Sequence, residues 1–380
     1  MSRPTITRPA ITRPIIAALL LSFACAAHAY EPPAAADDGW PVADAAKLGW
    51  DTSRFDAVAA KVDDKTTYPG ITSLVVAQDG KLVYEGYFNG GGREALNDMR
   101  SATKSITSLL VGIAIDKGLI PDVHAKVYPF FPDKAPKNLP ARKAAIDLED
   151  LLTMSSAWQC DDENTATAGH EERMYVSEDW TQFALDLPLR GFAPWDTRPE
   201  KSPYGRAFSY CTAGSFLLGA IVERAAKQPL DRFAHDTLEA PLRIAKVQWN
   251  QSSEGVGMGG GGTRYRARDI ARIGEMVLRG GEWQGRRVVS KAWIDAALSP
   301  HAVPRENVEY GYQFWRFRFP INGKDEWVWA MSGNGGNYVF ISPEQRLVAV
   351  ITTTAYNRRE SHPRSQEIFR DYLLKALPKP

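Results

Sequence analysis

Apolar residues at Ile106, Leu109, Leu110, Ile113 and Ala114 recur at helical spacing, and Gly118 stands where such a helix would stop. The pattern predicts a helix beginning near Met99. Two β-rich runs, 71–78 and 81–87, are separated only by Asp79-Gly80, the composition of a two-residue hairpin turn. Short helices are expected over 53–62 and 147–154. A longer one is expected from Thr212, where Leu218, Ile221, Val222 and Ala225 share a stripe and Pro229 marks the end. After a glycine run at 255–262, read as flexible, come a helix over 266–278 and strands over 310–319, 326–331, 338–341 and 347–353. A last helix is expected over 365–374.

Strands near both ends with helices between them predict an α+β fold: an antiparallel sheet assembled from both chain ends, flanked by helices, with an inserted and mainly helical lobe. The expected boundaries are one domain over 50–377, its α/β lobe at about 50–100 and 255–377 and its helical lobe at about 101–254. Residues 30–49, rich in Ala, Pro and Asp, read as a flexible leader lying on the surface. Residues 1–29 carry Arg3, Arg8 and Arg13, an apolar run from Ile15 and the close Ala27-His28-Ala29, which is the pattern of a secretory signal peptide. The expected protein is therefore exported, periplasmic or secreted, without stable membrane insertion once the signal is removed.

The full chain of 380 residues has 46 basic and 45 acidic side chains. Without residues 1–29 there remain 43 and 45, a net charge of −2, which points away from nucleic acid as a partner. Cys160 and Cys211 then remain, and in an oxidising compartment they are a candidate disulfide; two buried thiols are the alternative.

Three stretches carry candidate chemistry. Ser101 and Lys104 form S-x-x-K, and three residues apart on a helix the amine can reach the hydroxyl. A serine needs such a base to become a nucleophile, and lysine serves only where burial or nearby positive charge lowers its pKa. Tyr210, in the loop before the Thr212 helix, can shuttle a proton if it projects into a cleft; a buried structural tyrosine is the alternative. Between two late strands, Asn334, Gly335, Gly336 and Asn337 form a glycine-rich turn whose N–H groups can complete an oxyanion hole with that of Ser101.

In this order the three features resemble the serine β-lactamase and penicillin-binding fold family, closest to class C β-lactamase-like hydrolases of the 6-aminohexanoate-dimer hydrolase and esterase type. The segments 150–156, 210–219 and 259–274 add to the likeness. The resemblance implies Ser101 as acylated nucleophile, Lys104 as its base or proton relay and Tyr210 as general acid/base, with no cofactor or metal. Two positions depart from it. Thr212 stands where the tyrosine motif usually has asparagine. If Gly336 is the glycine of the third motif, Asn334 stands where that motif carries a cation.

The expected function is hydrolysis of a small ester, amide or peptide. A DD-peptidase or β-lactamase, and a binding protein without turnover, are the alternatives. Tyr175 and Trp180 either contact substrate or pack, and Asp161, Asp162, Glu171 and Glu172 are either paired carboxylates or a solvated acidic loop. The glycine run fits G-x-G-x-x-G without a preceding strand, and the histidines lack metal-ligand spacing.

Overall fold

A computed structural model of the chain describes Met1 and residues 29–379, except Trp195 and Thr197. The expected signal sequence, apart from its first and last residues, lies outside them. Eight strands form one antiparallel sheet: β1 (Ile71–Gln78), β2 (Lys81–Tyr87), β3 (Ala302–Arg305), β4 (Val308–Tyr310), β5 (Trp315–Ile321), β6 (Lys324–Gly333), β7 (Asn337–Ser342) and β8 (Leu347–Thr353). Their spatial order is β2-β1-β8-β7-β6-β5-β4-β3. Val75 of β1 lies opposite Val350 of β8, so the first hairpin extends a meander built by the last part of the chain.

Antiparallel strands commonly alternate because one face meets water. Here both faces are covered. Val75, Ala77, Val339, Ile341, Val348 and Val350 enter one core, and Leu74, Val76, Phe340, Ala349 and Ile351 enter the other. That is why β7 and β8 read as continuous apolar runs.

Five helices cover the sheet or carry the site: α1 (Ser53–Asp63), α2 (Thr103–Asp116), α3 (Thr212–Ala226), α4 (Ala267–Leu278) and α5 (Ser361–Glu367). α1 and the segment from α5 to Ala376 close the second core through Phe55, Val58, Ile368 and Phe369. α4 closes the first, with Gly274 so near Val339 and Val348 that a Cβ there would press on both. α2 is buried from Thr103 to Ala114. A helix covered all round has no wet face, so its hydroxyls need partners inside. Thr107 donates to the Gly259 carbonyl (2.7 Å) and Ser105 to that of Gln313 (2.5 Å).

Several expectations change. The glycine run is packed rather than flexible: Gly259 abuts Gly219 and the Ser215 carbonyl, and Met258, Gly259 and Gly260 are buried. The run 310–319 is two strands, because Gly311 donates to the Phe314 carbonyl (2.8 Å) in a tight turn. Segment 30–49 is tied down: buried Trp40 donates to the Gly80 carbonyl (3.0 Å), and Asp38 pairs with buried Arg268 (2.6 Å). The last helix starts at Ser361, four residues early. Among the described residues no helix is long and apolar enough to cross a membrane.

Candidate active site

Ser101 lies in a single 3-10 turn, Arg100–Ala102, that leads into α2. Arg100 has φ 49°, a left-handed conformation costing a non-glycine residue on the order of 1–3 kcal/mol. Neighbours hold it there. Its N–H donates to Asp98 Oδ1 (2.9 Å), its carbonyl accepts from Thr103 Oγ1 (2.7 Å), and its guanidinium lies 4.1 Å from the Tyr356 ring.

Lys104 follows one turn later, 1% exposed, and its Nζ donates to Ser101 Oγ at 3.0 Å and to the Gly260 carbonyl at 2.5 Å. The same Nζ sits 5.0 Å from the centre of the Tyr210 ring. Burial lowers the ammonium pKa to about 8, against the opposing pull of Glu171 and Asp162. Tyr210 moves the other way: burial, then Asp162, Glu171 and Glu163, raise its phenol far above the ordinary range, opposed by a hydrogen bond with Ser101. The amine can thus be neutral near pH 8 while the phenol keeps its proton.

Ser101 and Tyr210 open on a cleft of about 340 Å³. Its far wall is the edge of β6 with Trp315, and Ser332, Gly333, Asn334 and Gly335 reach it together. Gly333 has to be glycine, because a Cβ would overlap the Met99 carbonyl beside the Ser101 turn. Asp162, Glu163 and Glu171, from the chain between α2 and α3, line the cleft as well, as do His362 and, from the segment after β8, Arg358 and Arg359, which form no ion pair among the described residues. Burial lowers the His362 pKa to about 4, and its Nδ1 lies 2.8 Å from the Tyr338 hydroxyl.

The family model described as Beta-lactamase matches residues 55–370. The chain belongs to the beta-lactamase family. It is 26% identical over 255 residues to the 6-aminohexanoate-dimer hydrolase of Paenarthrobacter ureafaciens, covering 65% of this chain and 62% of that protein. The chain thus spans about three-fifths of that curated relative. Among solved structures it is similar in fold to EstCE1, a hydrolase with promiscuous acyltransferase activity (TM-score 0.67, 15% identity, 85% and 98% of the two chains). It is likewise similar to a D-stereospecific amidohydrolase from Streptomyces sp. (TM-score 0.60, 15% identity, 83% and 98%).

Set against the beta-lactamase pattern, the contact at Ser101 moves the third motif's glycine from Gly336 to Gly333. Gly336, φ 81°, instead abuts the Ser361 carbonyl and Ser365 on α5. The position two before Gly333 is Met331, fully buried in the first core, so the cation that family members carry there is absent. Asn334 lines the cleft and its side chain is bound to Asn357: Nδ2 donates to Oδ1 and Oδ1 accepts from the backbone N–H, both at 2.7 Å.

Other expected site residues lie elsewhere. Asn337 is buried behind the turn, donating to the Asn334 and Thr353 carbonyls and accepting from Thr353 N–H. Thr212 is buried at the first position of α3, its Oγ1 without a partner among the described residues. Trp180 packs on Phe216 and Tyr175, ring centroids 5.6 and 5.3 Å apart, behind the cleft wall. Tyr175 is exposed, and its hydroxyl donates to Glu171 of the cleft (2.9 Å). Cys160 and Cys211 are joined as a disulfide, Cα–Cα 5.4 Å, directly beside Tyr210.

Sequence reasoning missed the Gly260 carbonyl, Trp315, Glu163, His362 and the two arginines. The glycines at 259–260 were the available signal for the first, since glycine permits a backbone to approach a helix closely. The remainder had none.

Proposed function

We propose that this hydrolase is exported and cleaves a carboxylic ester or amide through an acyl-enzyme on Ser101. The observation that carries the reading is the 3.0 Å contact from Lys104 Nζ to Ser101 Oγ, made by an amine that burial holds near pKa 8. Ser101 Oγ bonds to the substrate carbonyl carbon while its proton passes to neutral Lys104. The oxyanion is held by the N–H of Ser101 and one from the Gly333–Asn334 edge. As the bond to the leaving oxygen or nitrogen breaks, Tyr210 donates its proton to that atom and regains one from the Lys104 ammonium. Water then attacks the acyl carbon, gives a proton back through the same groups, and frees the acid and Ser101.

With Met331 in place of a cation, β6 offers no charge beside the nucleophile, and the arginines of the cleft, Arg358 and Arg359, come from the segment after β8. Together with Asp162, Glu163 and Glu171 in the same cleft, they suit a linear ester or amide with an amine on one side of the scissile bond and an acid on the other. A 6-aminohexanoate dimer is such a substrate.

The test is turnover of a p-nitrophenyl ester with intact-mass labelling. The expected result is a fluorophosphonate adduct on Ser101, and a loss of at least about a thousandfold in kcat for Ser101→Ala. Retained turnover in Ser101→Ala overturns the acyl-enzyme, and labelling by fluorescent penicillin favours a cell-wall peptidase instead. Export is checked by the N-terminus of protein recovered outside the cytoplasm.

A further inference from the structure

Asp162 stands where the start of α3 and that of a short helix, Glu171–Tyr175, meet the Tyr210 loop. Its own N–H donates to the Tyr210 carbonyl (2.9 Å). Its carboxylate accepts from Thr212 N–H through Oδ2 (2.7 Å) and from Glu171 N–H through Oδ1 (2.9 Å). Residue Cys211, at the N-cap of α3, offers no capping side chain, and the Thr212 hydroxyl has no partner among the described residues. The cap therefore comes from a residue fifty positions away.

The same two segments are tied on the other side of Asp162. Cys160 is bridged to Cys211, and Ser209 Oγ donates to the Cys160 carbonyl (2.7 Å). Tyr210 is thus held between a disulfide and a carboxylate clamp. Asp162 also lines the cleft with Ser101 and Tyr210, and its charge acts on Lys104.

The geometry points to Asp162 as a positioning residue, whose carboxylate clamps the Tyr210 loop beside Ser101. This rests on the proposed Ser101 acyl-enzyme. A carboxylate has two acceptor oxygens and here both are used, so an amide, with one acceptor, cannot reproduce the clamp. The other groups around Lys104 are Ser101 in the turn before it, the Gly260 carbonyl, the Tyr210 ring and Glu171. Glu163 acts on Tyr210, and Arg358, Arg359 and His362 line the same cleft. Glu171 acts on Lys104 in the same direction as Asp162, so removing one charge shifts the lysine without abolishing its partner.

The experiment compares wild type, Asp162→Asn and Asp162→Glu, each counted by fluorophosphonate titration so that misfolded protein drops out. In wild type, kcat/KM for the p-nitrophenyl ester rises with pH through about 8 as Lys104 loses its proton. Asp162→Asn is expected to lower kcat per labelled site at least about tenfold. It also moves that rise to lower pH, because losing a nearby negative charge favours the neutral amine. Asp162→Glu keeps the charge and misplaces the clamp: kcat falls while the rise stays in place. Unchanged kcat per site with an unmoved pH profile in both variants overturns the proposal. If Asp162→Asn yields no titratable enzyme, wild-type kcat per site in Asp162→Glu suffices to overturn the clamp. Failure of wild type itself to label would instead reject the acyl-enzyme.

Discussion

Residues 257–262 and 333–336 are both glycine runs, and both press on the start of α2. In the first run the carbonyls are what matter: Gly259 accepts from Thr107 and Gly260 from Lys104. In the second, Gly333 lies against Met99, Gly335 lines the cleft, and Gly336 turns away toward α5. Glycine thus marks a place where two backbones come close. Which group the backbone then presents is set by the element it meets, here a buried lysine on one side and the turn ahead of a serine on the other.

The comparison is broken most severely at Gly333. Gly333→Ala forces the β6 edge off the Ser101 turn and is expected to cost at least about a hundredfold in kcat/KM, since displacements near 1 Å carry such losses. Turnover per labelled site checks this, and near-normal turnover would detach the β6 edge from the reaction.

A smaller and different effect is expected behind the turn. Asn337→Ala strips Thr353 N–H and two carbonyls of a buried partner and should lower stability by about 2–3 kcal/mol. Denaturant unfolding reads the loss, while kcat of the folded fraction stays within about threefold. A large fall in kcat would return Asn337 to the catalytic edge.

The mildest change is Gly260→Ala. Its Cβ would meet Thr212 Cγ2 at 2.8 Å, and the terminal methyl of Met258 and the Thr212 carbonyl oxygen at 3.0 Å; the methyl can move aside, while the start of α3 must give by a few tenths of an ångström. About 1–2 kcal/mol of stability and less than a tenfold loss in kcat are expected, read by unfolding and by turnover. A loss as large as that of Gly333→Ala would make the two glycine runs equivalent at the site.

The parts legible in the sequence are those that depend on near neighbours. The three-residue step from Ser101 to Lys104 is a property of any helix, so their contact follows from spacing alone. The Asp79-Gly80 hairpin and the apolar runs of β7 and β8 are local in the same sense. The fold class also followed, because strands at both chain ends have few ways to share a sheet.

What spacing could not supply is which distant segments meet. Asp162 reaches Thr212 across fifty residues, Lys104 reaches Gly260 across 156, and either Gly333 or Gly336 satisfied the local pattern beside Ser101. The same holds for Thr212 and Trp180, whose residue types suit a cleft but whose side chains lie behind its wall. The sequence by itself determined that a hydroxyl and an amine share one helical face. Only the tertiary structure decided that the amine is a usable base, because lowering its pKa requires exclusion of water, and α2 is sealed by segments far away in the chain.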